Sequence, residues 1–530
     1  MSGLGGKRPV CLARGCAKIG RSPESVASPQ VGAGAPMLRS IPKRLQANFL
    51  HCAGNPGTEL DFGVSSMTDA NVLNTAAGHA VRYLETLDSR PIGATASVAE
   101  LRARLAKPFP ERGHNVEQVI DELVRDAEGG ILASSSGRFF GWVIGGTLPV
   151  ALAADWLTSA WDQNGASNLT APLEAVVEEV AGSWAKEILG LPSEASFAFV
   201  TGSQMAHATA LAAARHRLLQ NRNWDVEEMG LAGAPRLQIL TTEGRHESIL
   251  RAARLLGVGT RAIIYVASDE AGRMDSRALA NALRQSSGVP TIVCLQAGEL
   301  NTGVFDCFEE ICPVAKSANA WVHVDGAFGL WVAASRKYRH LLNGADQADS
   351  WVTDGHKWLN LPFDSGLVFV ADSAAHRSSF AQAASYSVPV EELRNQKDWN
   401  PEWSRRGRGF TVYAAIRALG RAGIADIVDR CCAHADRLVR SIGALPATEV
   451  VALPVINQGL VRFLANDGDH DRRTERVIAR IQAKGVAWFG AATWNRKRVM
   501  RVSVCNWLTS DRDIERAIAT VREAAAECPP

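Results

Sequence analysis

The sequence lacks charge of one sign: 57 Lys and Arg stand against 55 Asp and Glu, a formal net charge of +2 over 530 residues. So balanced a chain has no electrostatic claim on nucleic acid or on an anionic membrane surface, and neither is expected as a partner. No apolar run approaches the roughly 20 residues that span a bilayer. Cysteine is thinly spread. Its ten copies, among them Cys294, Cys307, Cys312, the adjacent Cys431 and Cys432, and Cys505, show neither paired-knuckle metal spacing nor a disulfide framework. Reduced thiols and a cytoplasmic location are the expectation. Internal repeats and low-complexity tracts are missing too. What is present is an ordinary globular composition, 46% hydrophobic and 21% charged, enough for one large domain and a smaller one.

Acidic residues are scarce in one place. Up to Leu50 there are eight Lys or Arg and a lone Glu24, with scattered Gly, Pro and Ser and no sustained period. Residues 1–66 are therefore expected to form a disordered leader. A basic, acid-poor leader reads as a transit peptide or as the product of a start codon placed too far upstream. The second is favoured, because "MTDANVLNTAAGHAVRYLETL" opens at Met67 like a natural N-terminus.

Residues 67–135 read as a helical segment. Val72, Leu73, Ala76, Ala80, Val81 and Leu84 recur at three-to-four spacing, and "RPIGATASVAELRARL" is a loop feeding another helix. Such a segment seldom folds alone, so it is expected to pack on the body of its own chain or of a partner. In residues 136–385 strand-like runs ("FAFVTG", "LQILTT", "AIIYVA", "TIVCLQAG", "WVHVDGAF", "SWVTDG", "SGLVFVA") alternate with helical ones at Gln204 to Gln220, Glu247 to Leu256, Ser276 to Gln285 and Phe308 to Ala318. This alternation predicts an α/β domain with a mostly parallel, buried central sheet. Residues 386–530 read as a hinge, between Tyr386 and Arg408, and a small C-terminal α+β domain. Its elements are a helix around Ala425 to Ile442, the strand "GLVRFLA", a helix from Asp471 to Lys484, the strands "VAWFGAATW" and "RVMRVSV", and a last helix from Ser510.

Two stretches carry chemistry. "VHVDGAFGLW", Val322 to Trp331, ends an apolar strand on an aspartate; "SWVTDGHKWLN", Ser350 to Asn360, runs a second strand into adjacent histidine and lysine. A carboxylate at the end of a buried strand is costly unless a cation meets it. Asp325 and Lys357 lie 32 residues apart, each at the C-terminal end of a strand, where parallel α/β sheets place their ligand sites. An aspartate there can pair with a protonated heterocyclic nitrogen, and a lysine of lowered pKa can form a Schiff base. Together that is the demand of pyridoxal phosphate.

With these motifs in order and at family spacing, the chain resembles the group II pyridoxal-phosphate-dependent decarboxylases, which include the aromatic-amino-acid, histidine and glutamate decarboxylases. The resemblance runs from about Thr68 to the last helix, and its most specific stretches are "HVDGAFG" and "TDGHKWLN". It implies the fold type I architecture of aspartate-aminotransferase-like enzymes, bound pyridoxal 5'-phosphate, an amino-acid substrate and a homodimer with the site near its interface. By resemblance Lys357 is the Schiff-base lysine, Asp325 the partner of the pyridine nitrogen, and Ala327 lies under one ring face. His246, in "TTEGRHESILRAARLLG", stacks on the other face; by itself it reads equally well as a cap before the helix at Glu247. The turn Gly202-Ser203-Gln204, between strand and helix, can hold a phosphate through backbone N–H groups and the Ser203 hydroxyl, although many such turns carry Gly and Ser merely as caps. Thr353 is a second phosphate candidate, and His356 matches the family histidine beside the lysine.

Three departures bear on the outcome. Relatives often read Gly-Thr-Thr where this chain has "AGELNTG", which moves the threonine near the cofactor's phenolic oxygen to Asn301 or Thr302. Gln396 stands at the place of the loop tyrosine that protonates the carbanion in aromatic-amino-acid enzymes; glutamine is no such donor, and Tyr386 on the same loop is the replacement candidate. The substrate-side motif opens Ser136-Gly137 rather than His-Pro, before Arg138, Phe139 and Phe140. With Trp142 and Trp161 these suggest an aromatic-lined pocket, though core roles fit most of them. The expected function is decarboxylation of an aromatic or acidic L-amino acid to amine and CO2. The alternatives are another reaction of the same cofactor (transamination, carbon-carbon lysis, or decarboxylation-dependent aldehyde formation) and a noncatalytic scaffold, which would have no physical need for a buried Asp and Lys pair.

Overall fold

Near-continuous apolar runs are what strands need when both sheet faces are covered; seven apolar runs form the main sheet, and six of them are buried along nearly their whole length. A computed structural model describes residues 70–382 and 394–530; the leader at residues 1–66 and Tyr386 lie outside them, as does the start of the expected hinge. The strands are β1 (Ser196–Val200), β2 (Gln238–Thr241), β3 (Ile263–Tyr265), β4 (Thr291–Gln296), β5 (Trp321–Asp325), β6 (Ser350–Asp354) and β7 (Gly366–Val370), in the spatial order β1-β7-β6-β5-β4-β2-β3. From β6 to β3 every pair is parallel, while β7 runs antiparallel to both its neighbours.

Side chains alternate across each strand, and the two apolar cores follow that alternation. Val293, Leu295, Val322 and Val324 pack into one, and Ile292, Cys294, Trp321 and Val352 into the other. The second core also takes the alanine-rich helix Ser203–Gln220, whose small side chains let it lie close on the sheet. Trp321, His323 and Asp325 share one parity on β5, so they face that helix. This places a buried histidine and the strand-end aspartate beside the residues of "SQMAHATA".

A second sheet holds β8 (Thr448–Ala452), β9 (Gln458–Phe463), β10 (Gly490–Trp494) and β11 (Lys497–Ser503), all antiparallel, in the order β10-β11-β9-β8. The helices His470–Lys484 and Asp511–Glu527 belong to this region. The helix expected near Ala425 begins at Gly409 and runs to Gly443, broken at Gly420, whose φ of 57° is open to glycine at little cost.

The N-terminal helices Ala70–Glu85, Val98–Leu105 and Val116–Asp126 bury no apolar residue completely. They are tied to the body by Arg138. Its guanidinium donates to the carbonyls of Leu87, Asp88 and Arg90 at 3.1, 2.8 and 3.0 Å, and also to that of Val486. No helix among the described residues is long and apolar enough to cross a membrane.

Candidate active site

β5 and β6 lie side by side in parallel, with Asp325 opposite Val352, so the segments leaving their C-terminal ends open into one space. It is a cavity of about 310 Å³ whose lining includes Asp325, Ala327, His246, His356 and Lys357. Five residues singled out from the sequence thus meet. Lys357 Nζ sits 3.2 Å from Asp354 Oδ2 and 5.9 Å from the centre of the Phe328 ring. Asp354 is itself buried, takes the Ser203 N–H on Oδ1 at 2.6 Å, and has His356 Nε2 3.6 Å from Oδ2. One carboxylate therefore links the helix N-terminus, the histidine and the lysine, and the positive end of the helix favours its charge.

Asp325 is held from two sides. Its Oδ1 accepts the Ala327 N–H at 3.2 Å, and His207 Nε2 lies 3.4 Å from Oδ2. Burial raises the pKa of this carboxyl, but His207, His246 and Lys357 more than offset it and hold the group below the usual carboxylate range. His356 stacks on Phe363 with ring centres 4.4 Å apart and accepts the Ser365 N–H on Nδ1 at 3.1 Å. Burial lowers its pKa, so it is a neutral ring with its proton on Nε2. His246 fills both roles that the sequence left open: its Nδ1 caps the helix Glu247–Leu255 by accepting the Ser248 N–H at 3.2 Å, and it also lines the cavity.

The turn Gly202-Ser203-Gln204 approaches the neighbouring backbone closely; a Cβ on Gly366 would lie 2.4 Å from Gly202 Cα. Ser203 Oγ is buried and has no hydrogen-bond partner among the described residues. Gln204 points elsewhere, donating to Ser248 O at 3.4 Å and so bracing the turn that carries His246.

Other expected residues are not brought to the cavity. Asn301 and Thr302 both bond to the Glu299 carboxylate, at 2.8 and 3.0 Å, and Leu300, just before them, takes the lining position. Thr353 alternates to the face opposite Asp354, with Oγ1 3.5 Å from Ala327 O. Of the aromatic group only Trp142 lines the cavity, its ring 4.8 Å from that of Trp488. Phe139 and Phe140 are core, and Trp161 packs edge-on against Phe410. Gln396 is buried in the short helix Gln396–Asp398, away from the lining.

A family model for the pyridoxal-dependent decarboxylase conserved domain matches residues 99–466. The chain belongs to the pyridoxal-dependent decarboxylase family. It is 26% identical over 460 residues to an aromatic-L-amino-acid decarboxylase of Bacillus atrophaeus, covering 84% of this chain and 93% of that one. It is also 24% identical to a 4-hydroxyphenylacetaldehyde synthase of Rhodiola rosea, covering 84% and 92%, and 29% identical over 351 residues to the acidic amino acid decarboxylase GADL1 of Mus musculus, covering 65% and 63%. Among solved structures, Oryza sativa TDC with PLP and tryptamine matches with a TM-score of 0.81 at 21% identity, covering 87% of this chain and 99% of that one. Mouse CSAD matches at 0.79 and 23%, covering 86% and 98%. The fold is the fold type I architecture of these enzymes, and the protein is a pyridoxal-phosphate-dependent amino-acid carboxy-lyase.

The decarboxylase's own residues fit that cofactor. An unpartnered buried hydroxyl at a helix N-terminus suits a phosphate oxygen, Ala327 leaves space for a ring, and the ionised Asp325 suits a protonated ring nitrogen. Four residues escaped the sequence reading. Asp354, inside "TDGHK", and Phe363 carried no signal beyond proximity to Lys357. Arg501 comes from β11, 144 residues downstream, and is 7% exposed while lining the cavity. His207 had a usable signal: it is a lone imidazole in an alanine run, opposite a strand whose alternation pairs His323 with Asp325.

Proposed function

We propose that this decarboxylase acts on aromatic L-amino acids, with Lys357 as the covalent attachment point of the cofactor and Arg501 as the partner of the substrate carboxylate. The observation that carries the choice is the cavity's supply of cations. Among the described lining residues Lys357 and Arg501 are the only lysine and arginine, while Trp142, Val143, Ile144, Leu300, Phe328 and Phe363 are apolar. Lys357 is committed to the cofactor, so one guanidinium remains for one carboxylate. An acidic side chain would need a second.

When bound, pyridoxal phosphate supplies the electron sink for the charge left behind as CO2 departs. The chain's own groups do the rest. Asp325, ionised, would hold a proton on the ring nitrogen of the bound cofactor. Asp354, 3.2 Å from Lys357 Nζ, balances the lysine's charge and holds the amine at the cavity. His246 and Ala327, both in the cavity lining, would hold the ring between them. The lining side chains exclude water from the reacting carbon. Arg501 binds a charge that is lost on CO2 release, so it serves binding and orientation more than the chemical step.

A homodimer belongs to the same proposal. Leu73, Val81, Leu84 and Leu123 on the N-terminal helices, with Leu157 on the helix Pro149–Trp161 and Leu173 on the helix Pro172–Leu189, are exposed apolar residues that a second copy would cover. Sedimentation of the active enzyme tests this, and an active monomer would overturn it.

The test of the function is a panel of L-amino acids assayed for both CO2 and the organic product. Aromatic substrates giving CO2 and amine in equal amounts is the expected result. Preference for glutamate or aspartate would overturn the substrate class. Aldehyde in place of amine would move the protein to the outcome named for the Rhodiola relative; Gln396, at the place of the loop tyrosine, is buried away from the cavity.

A further inference from the structure

Behind Asp325 runs a line of buried side chains that none of the steps above uses. His207, fully buried on the helix Ser203–Gln220, sets Nε2 3.4 Å from Asp325 Oδ2 and Nδ1 2.9 Å from His323 Nε2. His323 Nδ1 lies 2.9 Å from Ser350 Oγ, which also accepts the Trp321 indole N–H at 2.9 Å. His323 and Ser350 have no exposed surface, and Trp321 is 4% exposed.

The direction of every proton in this line follows from its far end. An indole N–H can only donate. Having accepted it, the Ser350 hydroxyl must place its own proton, and its other partner among the described residues is His323 Nδ1. A buried hydroxyl proton left without an acceptor is unfavourable, so Ser350 donates to Nδ1. Burial pulls the His323 pKa down to about 3, so this ring is neutral and its single proton sits on Nε2. That proton goes to His207 Nδ1. His207 must then carry its own on Nε2, the atom that faces Asp325. The 3.4 Å separation is long for a hydrogen bond, and Nε2 has no nearer partner among the described residues.

We propose that Trp321, Ser350, His323 and His207 form a one-way chain of donors that fixes the His207 tautomer and, through it, the charge and orientation of Asp325. His207 is a positioning residue: it touches neither substrate nor cofactor, and acts through the aspartate. The inference rests on Asp325 being the partner of the cofactor's ring nitrogen.

The test uses the holoenzyme loaded with pyridoxal phosphate carrying 15N at the ring nitrogen, whose resonance reports protonation of that atom independently of turnover. In the wild type the resonance lies at the protonated position. His207→Leu moves it toward the unprotonated position and weakens cofactor retention about tenfold, the worth of one hydrogen bond to a charged group. His207→Gln, whose amide N–H can reach the place of Nε2, restores it. Ser350→Ala, a change small enough to fold, gives a smaller move in the same direction and decides the matter if His207→Leu does not fold. An unmoved resonance in both His207→Leu and Ser350→Ala overturns the proposal. Asp325→Asn separates the two levels: if it moves the resonance while the His207 and Ser350 variants do not, the donor chain alone is wrong; if it too leaves the resonance in place, the reading of Asp325 is what fails.

Discussion

Asp325 and Glu174 are both carboxylates withdrawn from water, yet one is held below the usual carboxylate range and the other is pushed up to about 8. Burial acts in the same direction on both. The difference is the count of partners. Asp325 has the Ala327 N–H on one oxygen and the His207 imidazole near the other. Glu174 has the Gly409 N–H on Oε1 at 2.9 Å, but its Oε2 has no partner among the described residues, and Glu178 stands beside it with another unpartnered oxygen. The cluster's arginine, Arg405, is spent on Glu178. Depth therefore does not decide which buried acid is charged; the donors aimed at it do. One cluster presents a fixed negative charge to the cavity, and the other stores a proton.

The largest effect is expected where the charged cluster meets the cavity. Lys357→Ala should bring CO2 release to background, since no other lysine among the described residues lines that space; substantial residual turnover would detach the contrast from catalysis. Asp325→Asn keeps the shape and removes the charge, and kcat should fall about 10²- to 10³-fold with part of the cofactor retained. Near wild-type kcat at saturating cofactor would mean that the ionised state of Asp325 has no function. Arg501→Met should raise KM about tenfold and change kcat less, measured on an aromatic substrate; a loss confined to kcat would remove Arg501 from carboxylate binding.

The smallest effect tests the other half of the comparison. A Glu174 pKa raised from 4.5 to about 8 contributes stability that is fully present below about pH 4.5 and is lost as pH rises through about 8. Glu174→Gln can still accept the Gly409 N–H and can donate to Glu178. It should flatten the fall in melting temperature across that window and raise the melting temperature above pH 8 by about 1–3 °C. An unchanged pH slope would show that Glu174 does not store the proton.

The main sheet was legible in the sequence because six of its strands are apolar runs buried on both faces, and the seventh, the half-exposed edge strand β3, is still a run of β-branched and aromatic residues; all seven were found. Their direction was not, since a run such as "SGLVFVA" carries no sign of being antiparallel. β8, Thr448–Ala452, was missed because none of its five residues is fully buried and it lacks the pattern of a core strand. The helix from Gly409 was read too short because Gly420 breaks it and Gly423 follows just before Ala425, where the expected helix starts. At the site, Asp325, Lys357, His246, His356 and Ala327 were legible because each follows directly from a strand end or a short motif. Asn301 and Thr302 were placed by their position in a loop, and the loop gives both side chains to Glu299. Arg501 reaches the cavity from the other sheet, a contact that no local pattern encodes.

The attachment of the cofactor to Lys357 is tested most directly by reduction. The enzyme loaded with pyridoxal phosphate is treated with borohydride, digested and mapped for the pyridoxyl group. A single label on the peptide containing Lys357 is the expected result, absent from Lys357→Ala. A label on any other lysine, or none in a protein that turns over, would contradict it.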